Sequence, residues 1–486
     1  MADYYIDPEW TGTPSGTAEE PFTSAAQLPT RVAGDSVYFK ADTVHTGQLT
    51  HSPANATSTA LSAPVTYGAY GEGSPPVIQS NDWCVDVTQP GAVIQDLQFR
   101  AINSFSWGGV RALNTGQVRV QRCVIESTCE YGIRFDNTTD GLFSTLDALY
   151  NTVLGTFGSQ GILVVFGSAI GGVFEDVRLT HNTIANTGVM ANTETSFPAG
   201  IRVLSRTTPV TASSGTVDLD LFMRGLECSY NIISNTGSFG LAISHVSSGG
   251  TETLKNRVLN NVLTDIGNGL FDTHGIWFGA VRDLQCGWNT VDGTTMYQGS
   301  RYGTGVGIFL DQAFFGNEFD GAKRVQIVGN IVRNTGRLAE GSSGELEVAG
   351  AGILAFLSQE LEILDNQVID CYNGIGVLGW YGTGLKSTDI LIQGNEIRNP
   401  VRDGLTLLKG ATDLVVKENF VAGYGEAGSY IETTGAYTVT YTETRNNIIG
   451  PEETTYQGGS EPTSTTVPRA TRTPAAGNLT LSRVPL

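Results

Sequence analysis

Basic residues are scarce in this chain. Lysine and arginine number 28 among 486 residues against 48 aspartates and glutamates, so the formal net charge at pH 7 is -20. Such a deficit excludes a sequence-independent grip on nucleic acid or on anionic lipid. It also repels a uniformly acidic polymer unless arginines are gathered locally. Helix-forming composition is lacking too: charged residues make up only 16 %, and no long stretch carries a 3.6-residue apolar stripe. No run reaches the roughly eighteen apolar residues that a membrane span requires. The opening Met1-Ala2-Asp3-Tyr4 has no basic region followed by an apolar one, so no secretory signal is expected. The six cysteines are scattered without a CxxC pair. Cys228 and Cys286 fall in apolar slots, which predicts buried thiols rather than disulfides. There is no Ser-His-Asp constellation, Walker loop or metal-ligand spacing, so neither a cofactor nor a metal is expected.

What the chain has in plenty is glycine, 61 residues of it, with much Thr, Ser and Asn. That is the composition of strands and turns. It is organised by one phrase, apolar-x-apolar-x-x-Asn-x-Ile/Val. Leu361 to Val368 around Asn366 shows it plainly, and Val325 to Val332, Ile390 to Ile397 and Leu414 to Val421 repeat it. Cys123 takes the Asn slot of an early copy, and Asn261 and Asn447 centre weaker ones. The Asn positions 151, 182, 231, 261, 289, 330, 366, 395, 419 and 447 are spaced by 24 (395 to 419) to 49 residues (182 to 231). Repeats of this length bury their apolar faces on their neighbours, so the chain is read as a solenoid with one continuous core.

After each Asn comes a strand opened by glycine, as in Gly132-Ile133-Arg134-Phe135-Asp136 and Gly307-Ile308-Phe309-Leu310-Asp311. Positions one and three after Gly are apolar and should point inward by the two-residue period of a strand. The recurring Asn is expected at a turn, its amide bonding along the axis from rung to rung as a structural ladder.

Residues 1–90 differ from the rest. They carry Tyr4-Tyr5-Ile6-Asp7-Pro8, the turn-rich Gly12 to Thr17, and later Val37-Tyr38-Phe39 and Pro64-Val65-Thr66-Tyr67. This opening resembles the carbohydrate-active proteins of the right-handed parallel β-helix, pectate-lyase-like superfamily, shared by polysaccharide lyases and phage tailspikes. The resemblance implies an all-β, right-handed parallel β-helix, with residues 1–90 as an N-terminal capping segment with the first strands. The β-helix proper would occupy 91–450, and residues 451–486, where the repeat is lost, would form a C-terminal tail. An open solenoid end exposes core and unpaired backbone, which a cap must cover.

Positions two and four after Gly should face outward. They are mixed in the early rungs (Arg134, Asp136, Arg202, Ala242, Ser244) but apolar later (Phe309, Leu354, Phe356, Leu378, Leu408, with Trp380 nearby). An apolar column of that length on a free monomer would mark an interface. Packing against copies of the same chain is therefore expected, and the tailspike resemblance implies a homotrimer.

Insertions point to a site. From Asn to the following Gly the rungs usually advance eight to ten positions, but the step is 18 after Asn182, 14 after Asn261, 18 after Asn289 and 22 after Asn330. Loops raised from one corner of a rigid scaffold should form a wall beside one face. Their contents suit carbohydrate: Glu194, Tyr297, Arg301, Tyr302, Arg337, Glu345 and Glu347, with Arg202 on the adjoining strand. Tyr rings stack on sugar faces, and Arg and carboxylates bond hydroxyls or acidic groups. Glycoside hydrolysis would need two carboxylates roughly 5 to 9.5 Å apart, for which Asp272, Asp311 and Glu318 are candidates. His274 beside Asp272 offers a base with its orienter. A lyase would also need a neutraliser for the uronate carboxylate, and no dense Asp cluster suggests one.

The resemblance then implies a tailspike-like protein that recognises, and in its enzymatic form depolymerises, a surface polysaccharide of a bacterial host. Its partners would be that polysaccharide, two further copies of itself and other tail proteins of the virion. A secreted polysaccharide lyase or glycoside hydrolase is the first alternative, and a non-enzymatic glycan-binding adhesin the second.

Overall fold

A computed structural model describes residues 1–102, 107–126, 130–139, 141–156, 160–166, 172–188, 198–205, 223–246, 256–267, 273–296, 305–311, 313–315, 318–338, 350–379, 387–408, 410–431 and 439–449. Three long parallel sheets, of 15, 14 and 13 strands, run side by side along one axis. Each turn of chain contributes one strand to each in the same order. Val118–Gln121 joins the 15-stranded sheet, Val124–Glu126 the 14-stranded one and Tyr131–Asn137 the 13-stranded one, before Gly141–Leu149 starts the next turn. This is a right-handed parallel β-helix, and no α-helix occurs among the described residues.

The period-two reading accounts for the core. Along the 13-stranded sheet, Ile133 pairs with Ile162, and the column continues through Ile201, Leu241, Ile276, Ile308, Ile353, Ile375 and Leu405. All are essentially without exposure. Each such side chain contributes about 1.5–3 kcal/mol by leaving water. Cys84, Cys123, Cys228, Cys286 and Cys371 are buried free thiols, as expected. Tyr4, Phe22, Ala25 and Leu28 of the first 90 residues pack against the same core.

The Asn ladder forms. Each Asn side-chain oxygen accepts two bonds from the preceding Asn, one from its backbone N–H and one from its amide, as for Asn151 on Asn182 at 3.0 Å each. The series runs through Asn182, Asn231, Asn261, Asn289, Asn330, Asn366, Asn395 and Asn419. It ends on Asn446, which corrects the expected Asn447. The residue before each ladder Asn takes a left-handed backbone, as at Glu418 (φ 58°) and Arg445 (φ 59°). That turn puts Asn446 in the slot and starts the next strand at Asn447, which pairs with Phe420. Left-handed geometry costs a non-glycine residue about 1 kcal/mol, offset here by amides bonded on both sides.

The ladder makes the corner between the 15- and 14-stranded sheets tight. From the strand Ser36–Lys40 onward, the longer connections join the 13-stranded sheet, at one edge or the other. Among the described strands, that sheet is therefore the one with longer connections at both edges.

Candidate functional site

The outer face of the 13-stranded sheet forms a floor between those two sets of connections. Its central outward column reads Asp86, Arg111, Arg134, Leu163, Arg202, Ala242, Trp277, Phe309, Leu354, Gly376, Thr406 and Tyr430.

The N-terminal part is polar and aromatic. Trp83 and Tyr131 lie two rungs apart yet stack, with centroids 6.0 Å apart and planes 12° from parallel. The rung between them presents Gly108, where a Cβ would lie 2.3 Å from the Tyr131 carbonyl oxygen and 2.6 Å from the Trp83 ring. Glycine is what lets the rings close over that rung. Arg111 donates to both oxygens of Asp86 at 2.9 and 3.0 Å and stands 5.6 Å from the Trp83 ring centre. Arg134 donates to Asp136 and lies 4.8 Å from the Tyr131 ring centre. Each guanidinium is thus held between a carboxylate and an aromatic face, which fixes its fork in one orientation. Gln160 and Arg202 extend this surface. Burial pushes the Arg202 guanidinium down to about 10, with the Tyr131 phenol acting the other way. Burial raises the Glu130 carboxyl, and Arg134 opposes the rise.

Midway along the floor the rings change partners. His274 is buried, stacked on Phe239 at 5.5 Å and 4.9 Å from Phe309. Burial pushes its pKa down to about 3, so the imidazole is neutral near pH 7. Among the described residues its Nδ1 has no hydrogen-bond partner. The expected orienter, Asp272, lies outside the described residues. Asp311 is half-buried and accepts a 3.1 Å bond from the indole N–H of Trp277, one rung away.

The C-terminal part is apolar, and it corrects one expectation. Phe309, Leu354, Phe356, Leu378 and Leu408 leave the outward face but are only 5, 2, 8, 6 and 2 % exposed. With Val306, Ala351 and Leu357 they form a second hydrophobic cluster, separate from the main core and bordered by Trp277 and Tyr430. The two-residue period tells which face a side chain leaves from, not whether that face is covered. Among the described residues that column is therefore covered within the single chain, and the argument from exposure to an interface loses its premise. Trp380 lies outside the described residues.

One acid stands within this apolar part. Asp403 is buried, accepts from the Ala427 N–H at 3.1 Å and faces the Arg402 Nε at 3.4 Å, while Arg402 also holds Glu426 at 3.0 Å. Burial, with Glu426 adding to it and Arg402 opposing, pushes Asp403 up to about 6.

The expected loop wall falls largely outside the described residues: Glu194, Tyr297, Arg301, Tyr302, Glu345 and Glu347 are all there. Glu318 belongs by its backbone to a small antiparallel hairpin, Ala313–Phe315 with Glu318–Asp320, and Arg337 to the strand Ile331–Leu338; their side chains are not described. Of the expected residues, Arg202, His274 and Asp311 are placed on one floor. Sequence reasoning missed Trp83, Asp86, Arg111, Tyr131, Trp277 and Asp403. A signal existed for some. Gly109-Val110-Arg111-Ala112 is an earlier copy of the glycine-opened strand, and Asp403 is the one carboxylate directly preceding such a glycine.

No protein-family model matches the sequence, and no curated protein matches it. Solved structures do resemble it. A lacto-N-biosidase of family GH136 from Eubacterium ramulus is 12 % identical over 93 % of this chain and 68 % of its own, with a TM-score of 0.43. The catalytic unit of a GH87 α-1,3-glucanase from Streptomyces thermodiastaticus is 14 % identical over 86 % of this chain and 64 % of its own, with a TM-score of 0.49. The A-module of a mannuronan C-5 epimerase from Azotobacter vinelandii is 12 % identical over 86 % and 92 %, with a TM-score of 0.40. The fold assignment itself rests on strand pairing: the chain is a right-handed parallel β-helix.

Proposed function

We propose that this chain binds a polysaccharide along the outer face of its 13-stranded sheet, as a tailspike-like protein engaging the surface glycan of a bacterial host. The observation that carries the reading is the placement of its long connections. They bracket this one sheet, whose floor sets the Trp83 and Tyr131 rings beside oriented arginines and carboxylates. Pyranose rings have an apolar C–H face and a hydroxyl rim, and the partly exposed Tyr131 ring, backed by the buried Trp83 and edged by fixed donors and acceptors, matches both. Arg111 and Arg134 are each paired with a carboxylate, so the floor offers oriented donors near charge balance rather than a positive patch, which suits neutral glycans.

Cleavage is the second part of the reading, with Asp272, Asp311 and Glu318 as the carboxylates for hydrolysis. Incubation with a panel of capsular, alginate, pectic and α-glucan polysaccharides tests both parts. New reducing ends with no unsaturated sugar signify hydrolysis, and an ultraviolet-absorbing unsaturated uronate signifies elimination. Retention on an immobilised polysaccharide without product leaves the adhesin reading, and no retention on any member ends the glycan reading. The virion assignment rests on the sequence resemblance and on assembly as a trimer, so a native mass corresponding to a monomer counts against it.

A further inference from the structure

Trp277 sits where the polar and apolar parts of the floor meet. On its N-terminal side the central column presents the small Ala242 and then Arg202; on its C-terminal side it meets Phe309 and the covered cluster. The indole packs against both apolar groups that flank it, yet remains partly exposed. Two features set its pose. Gly279, two residues on along the same strand, presents no side chain, and a Cβ there would lie 2.4 Å from the far edge of the indole. The ring therefore reaches across the adjacent outward position, which glycine leaves vacant. At its other end the indole N–H is tied to the Asp311 carboxylate on the next rung at 3.1 Å. Phe239, 5.8 Å away and tilted by 32°, supports it from the preceding rung.

We propose that Trp277 is the stacking platform for one sugar ring of the bound glycan, and that Asp311 is its positioning residue. This deepens the glycan reading and rests on it. A large aromatic side chain fixed at both ends loses little entropy on binding, the property that makes such residues anchors of recognition. The seam explains why a sugar suits the place. The sugar's C–H face meets the indole and its hydroxyl rim meets the polar side of the floor, whereas a wholly apolar ligand would leave that polar side unpaired. This positioning part is additional to the one Asp311 has in the cleavage reading, and binding measurements read it alone. It needs only an acceptor oxygen toward the indole, which an amide also supplies.

The test uses the full chain labelled with 5-fluorotryptophan. It is titrated with oligosaccharides released from alginate, polygalacturonate, dextran and cellulose, with affinity read by calorimetry and the indole by fluorine NMR. Trp277→Phe identifies the Trp277 resonance and retains a smaller ring should Trp277→Ala fail to fold. For a binding oligosaccharide, the Trp277 resonance should move. Trp277→Ala should weaken binding about tenfold and Trp277→Phe by a few fold, the scale of an aromatic anchor. Asp311→Ala should weaken it by several fold. Asp311→Asn should bind within about twofold of wild type, a rescue that a charge-dependent role would not show. Trp288→Ala, at an exposed residue on the ladder corner, should change nothing. An oligosaccharide that binds while the Trp277 resonance stays fixed and Trp277→Phe binds normally overturns the platform and leaves the glycan reading intact. Failure of every oligosaccharide to bind wild type overturns the glycan reading, and the platform with it.

Discussion

The two parts of the 13-stranded sheet's outer face share one backbone and one register but differ in what their side chains do. From Trp83 to Arg202 the face is built of guanidinium groups held between carboxylates and aromatic faces. From Phe309 to Leu408 it is a second hydrophobic core. In the first arrangement the Arg111–Asp86 pair is partly solvated and worth roughly 0–1 kcal/mol. The Arg134–Asp136 pair is buried, and its attraction is offset by the cost of removing both charges from water. This arrangement leaves polar groups oriented toward a ligand. The second arrangement stabilises by removing apolar area from water, and its few polar groups among the described residues, Asn373, Asp403 and Thr406, are themselves buried. A solenoid rung is a fixed frame on which either can be mounted, so function and stability are allotted to different rungs of one sheet.

The largest effect should come from the apolar part. Leu354→Ala removes a side chain only 2 % exposed and should cost about 3 kcal/mol, including the cavity it leaves. Urea unfolding followed by circular dichroism measures it. A loss below about 1 kcal/mol would mean that this cluster is loosely covered, and the contrast between the two parts would fail.

Asp403 is the exception inside the apolar part, and it sharpens the contrast. Its carboxyl rises from 3.8 unfolded to about 6 folded, so the folded state holds the proton more tightly. The stability this provides is complete below about pH 4, declines as pH rises toward 6 and is absent above. Asp403→Asn should therefore stabilise the protein at pH 7 by up to about 3 kcal/mol, less whatever the Arg402 contact supplies. It should also flatten the pH dependence between 4 and 6. Unfolding midpoints of wild type and variant that run parallel from pH 4 to 7 would show that the carboxyl is not strained by burial.

Gly108→Ala tests the polar part's geometry. The added methyl meets the Tyr131 carbonyl and the Trp83 ring, so a loss of about 1–3 kcal/mol from overpacking is expected. The Trp83–Tyr131 stack should open, visible as a change in near-ultraviolet circular dichroism. The smallest effect should be Arg111→Ala, at most about 1 kcal/mol and reduced further in high salt. Should Arg111→Ala cost as much as Leu354→Ala, the polar part is a structural network and not a recognition surface.

Much of the scaffold was legible in the linear text. The rung length, the inward isoleucines from Ile133 to Leu405 and the ladder from Asn151 to Asn419 all follow from a period of two and a repeated amide. The slip from Asn446 to Asn447 is one residue at a copy where both positions carry Asn. Only part of the site was legible. Asp311 stood out because it ends a glycine-opened strand, but its bond to Trp277 joins residues 34 positions apart. The Trp83–Tyr131 stack spans two rungs and depends on the missing side chain of Gly108. No local pattern encodes either contact.

The sequence by itself therefore determined the repeat, the ladder and the face from which the side chains after each rung glycine leave, because these follow from backbone geometry within a few residues. Tertiary structure alone decided the fate of the outward face. Phe309 and Leu354 leave the sheet in the same direction as Arg111 and Arg134, and the same period describes all four. Whether such a side chain ends in water, against a carboxylate or in a second core depends on neighbours one rung away, a full turn along the chain, and on what the chain brings over the face.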